Sequence, residues 1–448
     1  MYPLRLLSLN ARLTALATGE RFVIFHVRFQ FVFVALLLMG SPVFAAKDQR
    51  SSETGGSNND SPTLDNLIRQ AIQTHPLVEQ GKADLRAGNQ AVKTAKWQYF
   101  PTPAISYEKA FADNDGYTTV LSLDQPLWSG GRLSAGLDSA KANVIVLSAS
   151  LAENRRELAF RVVGTYGQWL SASLQHKALE ASESLHQDLL ARVQRRFDGG
   201  VSTGSDLELA RGRLQSVKAL AAATAAAEIS AVTTLAVLTN QELESATLAA
   251  GARRTPSGLA ETEQALLVGA LAHSPSIQRA DANVKVARAA VKGQRSATRP
   301  EVFLQFQREF DDFKPDSRLQ VGIRSQFGAG LSSFSGIAQA REAVSSAIAL
   351  RRSEELAIRE RVRADLATLQ SFAFRRPALE EAVRTAKQVY ESYQRQFLTG
   401  SKSWLDVMNS ARDLQVAQLQ LAEAVAGQLS VEWRLYILSN PLPADSRV

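Results

Sequence analysis

The second half of this chain repeats the first. Arg195, Phe197, Gly200, Asp206, Leu214 and Gln215 return as Arg395, Phe397, Gly400, Asp406, Leu414 and Gln415, each 200 residues later. His75-Pro76 returns as Ser274-Pro275 and Pro101 as Pro300, at an offset of 199. Matches this dense, with the same order of elements on both sides, mark an internal duplication. The fold must therefore be assembled from two like units, 63–240 and 263–440, joined by a connector at 241–262 and followed by a tail at 441–448.

Each unit reads as helix, β-hairpin, long helices. From Thr63 an apolar stripe of Leu64, Leu67, Ile68, Ala71 and Ile72 predicts a helix, which Pro76 interrupts. Helical spacing resumes to about Phe100, where Pro101 and Pro103 end it. Ile105 and Tyr107 then alternate with Ser106 and Glu108, and Leu121 and Leu123 with Ser122 and Asp124. Asp113-Asn114-Asp115-Gly116 lies between them, so the segment at about 104–126 predicts a hairpin. Gly130-Gly131 opens a long helix in which Leu133, Leu137, Ala140, Val144, Leu147 and Leu151 form a coiled-coil-like seam. It runs to Phe197, and about 65 residues at 1.5 Å each would span about 100 Å. Gly199-Gly200 stops it, and another helix starts near Ser205-Asp206, read as its N-cap. The second unit follows suit: a helical stretch from Ala265 to Ala297, a strand pair at about 302–327, a long helix from Ser333 to Phe397 and a last one from Trp404 to Leu438.

Residues 1–45 read as a secretory signal peptide. Arg21 and Arg28 precede an apolar core from Phe31 to Met39, and Val43 and Ala45 form a small-residue cleavage pattern. An N-terminal membrane anchor is the competing reading, but the core is short for a bilayer. Residues 46–62 are polar and Gly/Ser-rich, as in a disordered leader. No later stretch reads as a membrane helix, so residence in a membrane would require a β-barrel. Two hairpins supply four strands, and about eight is the practical minimum for closure. Either the hairpins lie on a soluble surface or several chains share one barrel.

The formal charge of +7 falls to +4 once Arg5, Arg12, Arg21, Arg28 and Glu20 of the signal segment are removed. With no dense basic run, nucleic acid is not an expected partner. The chain has no cysteine, which excludes disulfides and a lipid-modified N-terminal Cys. Gly200-Val201-Ser202-Thr203-Gly204 matches the hydrolase Gly-x-Ser-x-Gly pattern but joins two helices rather than a strand and a helix. His75, His176, His186 and His273 lack metal-ligand spacing. No enzyme activity, metal or cofactor is expected.

The segments Arg196-Phe197-Asp198-Gly199-Gly200 through Asp206-Leu207 and Gln396-Phe397-Leu398-Thr399-Gly400 through Asp406-Val407 resemble the two tip segments of the TolC family of outer-membrane efflux and secretion channels. Gln125-Pro126-Leu127-Trp128-Ser129-Gly130-Gly131-Arg132 is similar to that family's strand-to-helix junction, and the resemblance covers about residues 63–440. It implies a mainly α fold with a small β part: a homotrimer whose twelve-stranded barrel sits in outer-membrane lipid and continues as a periplasmic coiled-coil tunnel. It also implies an equatorial belt, to which 241–262 and the C-terminal segment would contribute, a periplasmic adaptor protein and an inner-membrane transporter.

The resemblance places Asp206 and Asp406 at the tunnel mouth, where three-fold symmetry would turn each into a ring of carboxylates that favours cations. The competing reading is two acids stabilised at helix N-termini. Lys402 matches a basic position that latches the closed tip in some members, whereas Asn409 stands where some members carry a second aspartate. Phe197 and Phe397 are candidates for packing or for the latch. Glu108, Gln305, Gln307 and Arg324 are candidates for the barrel lumen, and Trp128, Phe310 and Phe313 for the interfacial aromatic belt. Since the chain lacks the lipidation Cys of lipid-anchored efflux members, type I protein secretion with an ABC transporter is the expected role. Small-molecule or multidrug efflux is the alternative, and a periplasmic coiled-coil scaffold a third reading.

Overall fold

The computed structural model describes residues 63–109, 117–251, 255–260, 262–311, 316–325, 330 and 332–442. The signal peptide, the leader, both hairpin loops with Phe313, and the tail beyond 442 lie outside the described residues. The fold combines long helices with one small antiparallel sheet. In chain order the elements are α1 (Leu64–Thr74), α2 (Pro76–Trp97), β1 (Thr102–Lys109), β2 (Tyr117–Trp128), α3 (Arg132–Asp198), α4 (Gly204–Thr239) and α5 (Ser245–Gly251). Then come α6 (Glu263–Ala272), α7 (Pro275–Ser296), β3 (Glu301–Asp311), β4 (Asp316–Arg324), α8 (Ser332–Leu398) and α9 (Trp404–Ser439).

The two units match helix by helix. α2 and α7 have 22 residues each, α3 and α8 have 67 each, and α4 and α9 have 36 each. Both early breaks are built alike. Pro76 and Pro275 start α2 and α7, where their missing N–H is harmless. The residue before each proline accepts a backbone N–H: His75 Nδ1 from Leu77 at 3.2 Å, Ser274 Oγ from Ile277 at 3.3 Å.

The four strands form a single antiparallel sheet in the order β1-β2-β3-β4, so the central β2–β3 pairing joins the two units. The register aligns Ile105 with Leu121, Leu121 with Arg308 and Arg308 with Ser317. Further along, Leu123 meets Phe306 and Phe306 meets Leu319. Because side chains alternate between faces, one face collects Ile105, Tyr107, Leu121, Leu123, Leu304, Phe306, Leu319, Val321 and Ile323. The other collects Glu108, Ser122, Asp124, Gln305, Gln307, Arg318 and Arg324. The apolar face lies open: Ile105 is 75% exposed, Leu319 68% and Ile323 76%.

α3 occupies the middle of the helical region and packs against α2, α4, α7 and α9, whereas α8 packs chiefly against α7 and α9. The main core gathers Leu67, Leu158, Val162, Tyr166, Trp169, Leu235 and Ile437 from four helices. Trp169 Nε1 donates to Ser245 Oγ at 3.0 Å, which ties α5 of the connector to α3.

Two sequence expectations are corrected. α4 is long and apolar enough to cross a membrane, contrary to the reading that no stretch after the signal segment is. Its Ala-rich run carries one acid, Glu228, between Lys218 and its end, and it packs lengthwise along α3 while Ile229 and Val237 stay exposed. Ser205-Asp206 is not the N-cap of that helix: Thr203 caps it, and Asp206 stands three residues in.

Candidate functional site

The tunnel-mouth candidates lie where the long helices turn. Gly200 and Gly400, with φ of +69° and +77°, take left-handed conformations that disfavour a Cβ. Val201 N–H donates back to the Arg196 carbonyl at 2.8 Å, and Ser401 N–H to that of Gln396 at 2.9 Å. Both following helices then begin with a reciprocal capping box. In the first, Asp206 N–H donates to Thr203 Oγ1 (3.2 Å), and Asp206 Oδ2 accepts from the Thr203 N–H (3.1 Å), the Thr203 hydroxyl (2.9 Å) and the Ser202 hydroxyl (3.1 Å). In the second, Asp406 N–H donates to Ser403 Oγ (3.1 Å), and Asp406 Oδ2 accepts from the Ser403 N–H (3.1 Å) and hydroxyl (2.8 Å).

These bonds hold both carboxylates in their charged form. The Thr203 hydroxyl, then its N–H, draws Asp206 below the ordinary aspartate range. The Ser403 hydroxyl and N–H do the same for Asp406, helped by the charge of Lys402. Two fixed negative charges therefore stand at equivalent places. Their local role is to cap α4 and α9, which is compatible with a second role toward a pore.

The two turns differ beneath that surface. Phe397 is buried, 5% exposed, in a core with Leu189, Val193, Leu207, Tyr390, Trp404, Val407 and Met408, and the Arg196 guanidinium sits 4.8 Å from its ring centre. Phe197, its repeat partner, is 41% exposed. The asymmetry follows from Trp404, which fills the core where the first turn has only Gly204. Lys402 Nζ lies 4.4 Å from the centre of the Tyr393 ring, a cation–π contact within its own repeat. Local pattern does not report either contact: Arg196 meets Phe397 across the two repeats, and Tyr393 meets Lys402 across a turn. Thr203 and Ser403 carried a readable signal, a hydroxyl residue three before an acid.

In the sheet, Glu108, Gln305, Gln307 and Arg324 share the polar face, and Gln320 donates to Gln305 across β3–β4 at 2.5 Å. The Arg324 guanidinium covers the Phe303 ring at 4.7 Å. Trp128 and Phe310 lie on the apolar face, at opposite ends of the strands. No group of three or more His, Asp or Glu suited to a metal occurs among the described residues. Ser202 spends its hydroxyl on the Asp206 cap and stands between two helices, not after a strand.

The family model described as "Outer membrane efflux protein" matches residues 67–241 and 266–440, one span for each repeat. The chain belongs to this family. No curated protein matches the sequence significantly. Solved structures share the fold. The outer-membrane channel OprN superposes with a TM-score of 0.73 at 18% identity, covering 86% of this chain and 91% of that one. The outer membrane protein VceC of Vibrio cholerae gives 0.71 at 17%, with 85% and 97% covered. The MtrE channel of Neisseria gonorrhoeae, in its open state, gives 0.66 at 17%, with 86% and 91% covered.

The chain is thus an outer-membrane channel protein of the TolC type, a non-catalytic export duct. One expectation is overturned: the inner-membrane partner is not of the ABC type. The family that matches both repeats is described as one of efflux proteins, and the solved structures that share the fold include the OprN, CmeC and MtrE outer-membrane channels. The physical reason for the error is plain. A missing N-terminal cysteine bears on how an outer-membrane protein is anchored, and says nothing about which transporter it serves.

Proposed function

We propose that three copies of this chain close a twelve-stranded barrel in the outer membrane, continued by a helical tunnel, and form the exit duct of a small-molecule efflux system. The observation that carries this reading is the sheet, with an exposed apolar face, a polar face, and β1 and β4 unpaired at its edges. Open strand edges are not tolerated in lipid. Four strands cannot close by themselves, and three copies give a number adequate for an open lumen. The exposed apolar positions of α4 and α8 supply the matching helical edges, Ile229 and Val237 on one side, Leu356 and Phe374 on the other. Residues 241–262, held to α3 through Ser245, form the belt around the tunnel together with the end of α9. A periplasmic adaptor links the duct to a proton-driven transporter of the RND type, a pairing supported by the efflux family that both repeats match.

At the tunnel mouth, Asp206 and Asp406 become rings of three carboxylates each, with Lys402 and the phenylalanines beside them holding the closed shape. Removing one acid should weaken divalent-cation block of single-channel current in a planar bilayer, so Asp406→Ala should conduct with higher tolerance of divalent ions. Unchanged block removes Asp406 from the mouth. Gene deletion tests the role: raised susceptibility to toxic small molecules with an unchanged set of secreted proteins is expected. Loss of a secreted protein with unaltered susceptibility overturns the efflux reading.

A further inference from the structure

The helices that adjoin the sheet form a layer with two unlike sides. α2, α3, α7 and α8 pack side by side in that order. Between α3 and α7 lies a groove of about 330 Å³, lined by Lys141 and Ile145 of α3 and by Lys285, Arg288 and Lys292 of α7. On α7, steps of three and four residues bring Lys285, Arg288, Lys292 and Arg295 onto one face. Two carboxylates adjoin this row, and each is taken: Asp138 by Lys292 at 2.9 Å and Asp281 by Arg351 of α8 at 2.5 Å. Lys141, Lys285, Arg288 and Arg295 are exposed and make no ion pair among the described residues. Residues 326–329 and 331, which lie in sequence between β4 and α8 and outside the described residues, include no Asp or Glu. The first repeat carries the same signature: Arg86, Lys93 and Lys96 of α2 are the counterparts of Lys285, Lys292 and Arg295, and Arg341 of α8 is that of Lys141. The other side of the layer is built from small residues. About half a turn round α3, Gly136, Ser139 and Asn143 line a second groove with Ala87, Gly88 and Ala91 of α2. Arg132 belongs to that row of α3, four residues before Gly136, and it bonds Glu301 at 2.5 Å. Glu301 alternates with Val302 onto the polar face of the sheet. The small-residue side of the helices is thus continuous with the polar face, and the basic side with the apolar face.

We infer that the basic row of α3 and α7 binds the headgroups of anionic phospholipids in the periplasmic leaflet. The inference rests on the barrel reading, which turns the apolar face of the sheet, and with it the basic side of the helices, outward. Arg295 is one residue from the end of α7 nearest the sheet. Arg288 and Lys141 stand about 12 Å and about 14 Å from the helix ends at the sheet, at 1.5 Å per residue. The headgroup layer extends beyond the hydrocarbon edge by roughly 5–8 Å, and the potential of an anionic surface reaches a further Debye length of about 8 Å. The row therefore begins at the lipid phosphates and stays within their field, clear of the hydrocarbon. Long basic side chains reach toward such a layer along their aliphatic stems. Guanidinium binds phosphate through paired N–H donors, ammonium as a point charge. Basic clusters beside a membrane select lipids of net negative charge. The groove between α3 and α7 gathers three cations that no carboxylate neutralises, which suits a lipid with more than one phosphate. With a matching row on α2, three copies would surround the base of the barrel with six basic rows.

The test uses the full-length protein purified in detergent and incubated with cardiolipin, or with phosphatidylcholine, which carries a phosphate but no net charge. Bound lipid is counted by native mass spectrometry of the intact assembly. The wild-type trimer should retain several-fold more cardiolipin than phosphatidylcholine. Lys141→Gln combined with Lys285→Gln and Arg288→Gln should retain about half as much cardiolipin, and adding Arg86→Gln and Lys93→Gln should remove most of the rest. Arg324→Gln, a cation removed from the polar face of the sheet, should retain as much as wild type. Undiminished retention by the five-fold variant, or equal retention of the two lipids by wild type, overturns the inference while leaving the barrel intact. A triple variant with altered anion–cation selectivity of its single channels and unaltered lipid retention also overturns it, by placing the row in the lumen. A wild-type protein that gives no trimer overturns the barrel reading itself.

Discussion

Helices α3 and α8 have the same length and the same place in the two repeats, yet they live in different surroundings. α3 buries 21 of its residues, from Leu133 to Val193, including Tyr166 and Trp169. α8 buries four: Val362, Asp365, Tyr390 and Phe397. α8 also leaves Leu356 at 66% and Phe374 at 82% exposure. A duplicated helix given equivalent neighbours would show equivalent burial. The difference shows that α3 is interior to the chain and α8 is an edge with exposed apolar residues, which suits the proposed packing against a neighbouring copy. Exposed apolar positions repeated along a long helix mark an interaction surface more than a tolerance of chance substitutions.

The strongest way to break this comparison is to truncate one large side chain on each helix. Trp169→Ala removes a side chain that is 1% exposed together with its bond to Ser245, and should destabilise the fold by about 3–5 kcal/mol. Phe374→Ala should leave the denaturation midpoint of the separated chain almost unchanged. Equal losses would mean that α8 is already packed within one chain.

Charging the α8 edge should separate assembly from folding. Leu356→Asp with Phe374→Asp is expected to keep the helical circular dichroism spectrum and to lose the detergent-resistant oligomer. An intact oligomer would move the interface away from these residues.

The smallest of these effects concerns polar groups along α3. His186 is buried with Ser182 and Gln415, where its Nδ1 lies 2.7 Å from the Ser182 carbonyl and 3.4 Å from the Ser182 hydroxyl. Ser182 in turn donates to Gln415 at 3.1 Å. Burial, with the charge of Arg213, draws the His186 pKa below its ordinary 6.5, despite the opposing bond to Ser182. A histidine whose folded pKa is depressed contributes stability that is full above the unfolded value and declines as pH falls through it. Melting temperature should therefore drop as pH is lowered below about 6.5. His186→Gln should flatten that slope, and an unaltered slope would assign it elsewhere. The corresponding α8 position is Ala386, so the second repeat contributes no equivalent term.

α8 carries its own buried charge. Asp365 accepts from Arg434 at 2.5 Å, yet burial pushes its pKa up more than Arg434 and Arg361 pull it down. Its repeat partner is Thr165, a helix-surface residue that donates to the Arg161 carbonyl. Divergence at such pairs is what fits one repeat for the interior and the other for the edge.

Much of this architecture was legible in the sequence because it rests on periodicity. The 200-residue offset exposed the duplication, and strand alternation at Ile105–Glu108 and Leu121–Asp124 exposed the two-faced sheet. The paired aspartates were legible through the same offset. Other features were hidden for identifiable reasons. The Phe197–Phe397 difference depends on Trp404, which fills a core shared by four helices, and no local pattern reports that. The Ala-rich face of α4 blurs its periodicity, so its membrane-like hydropathy went unread. The cations of α7 recur at helical spacing, but the side of the layer they occupy becomes visible only through the bond between Arg132 and Glu301. The transporter type left no mark in the residues from which it was inferred.

The open edges of α8 and of strands β1 and β4 suit the same proposal, that this chain works as one of three copies. Native mass measurement of the detergent-purified protein tests it most directly. A single species with the mass of three mature chains is expected. A monodisperse single chain, stable without detergent, would contradict the shared barrel and the channel built on it.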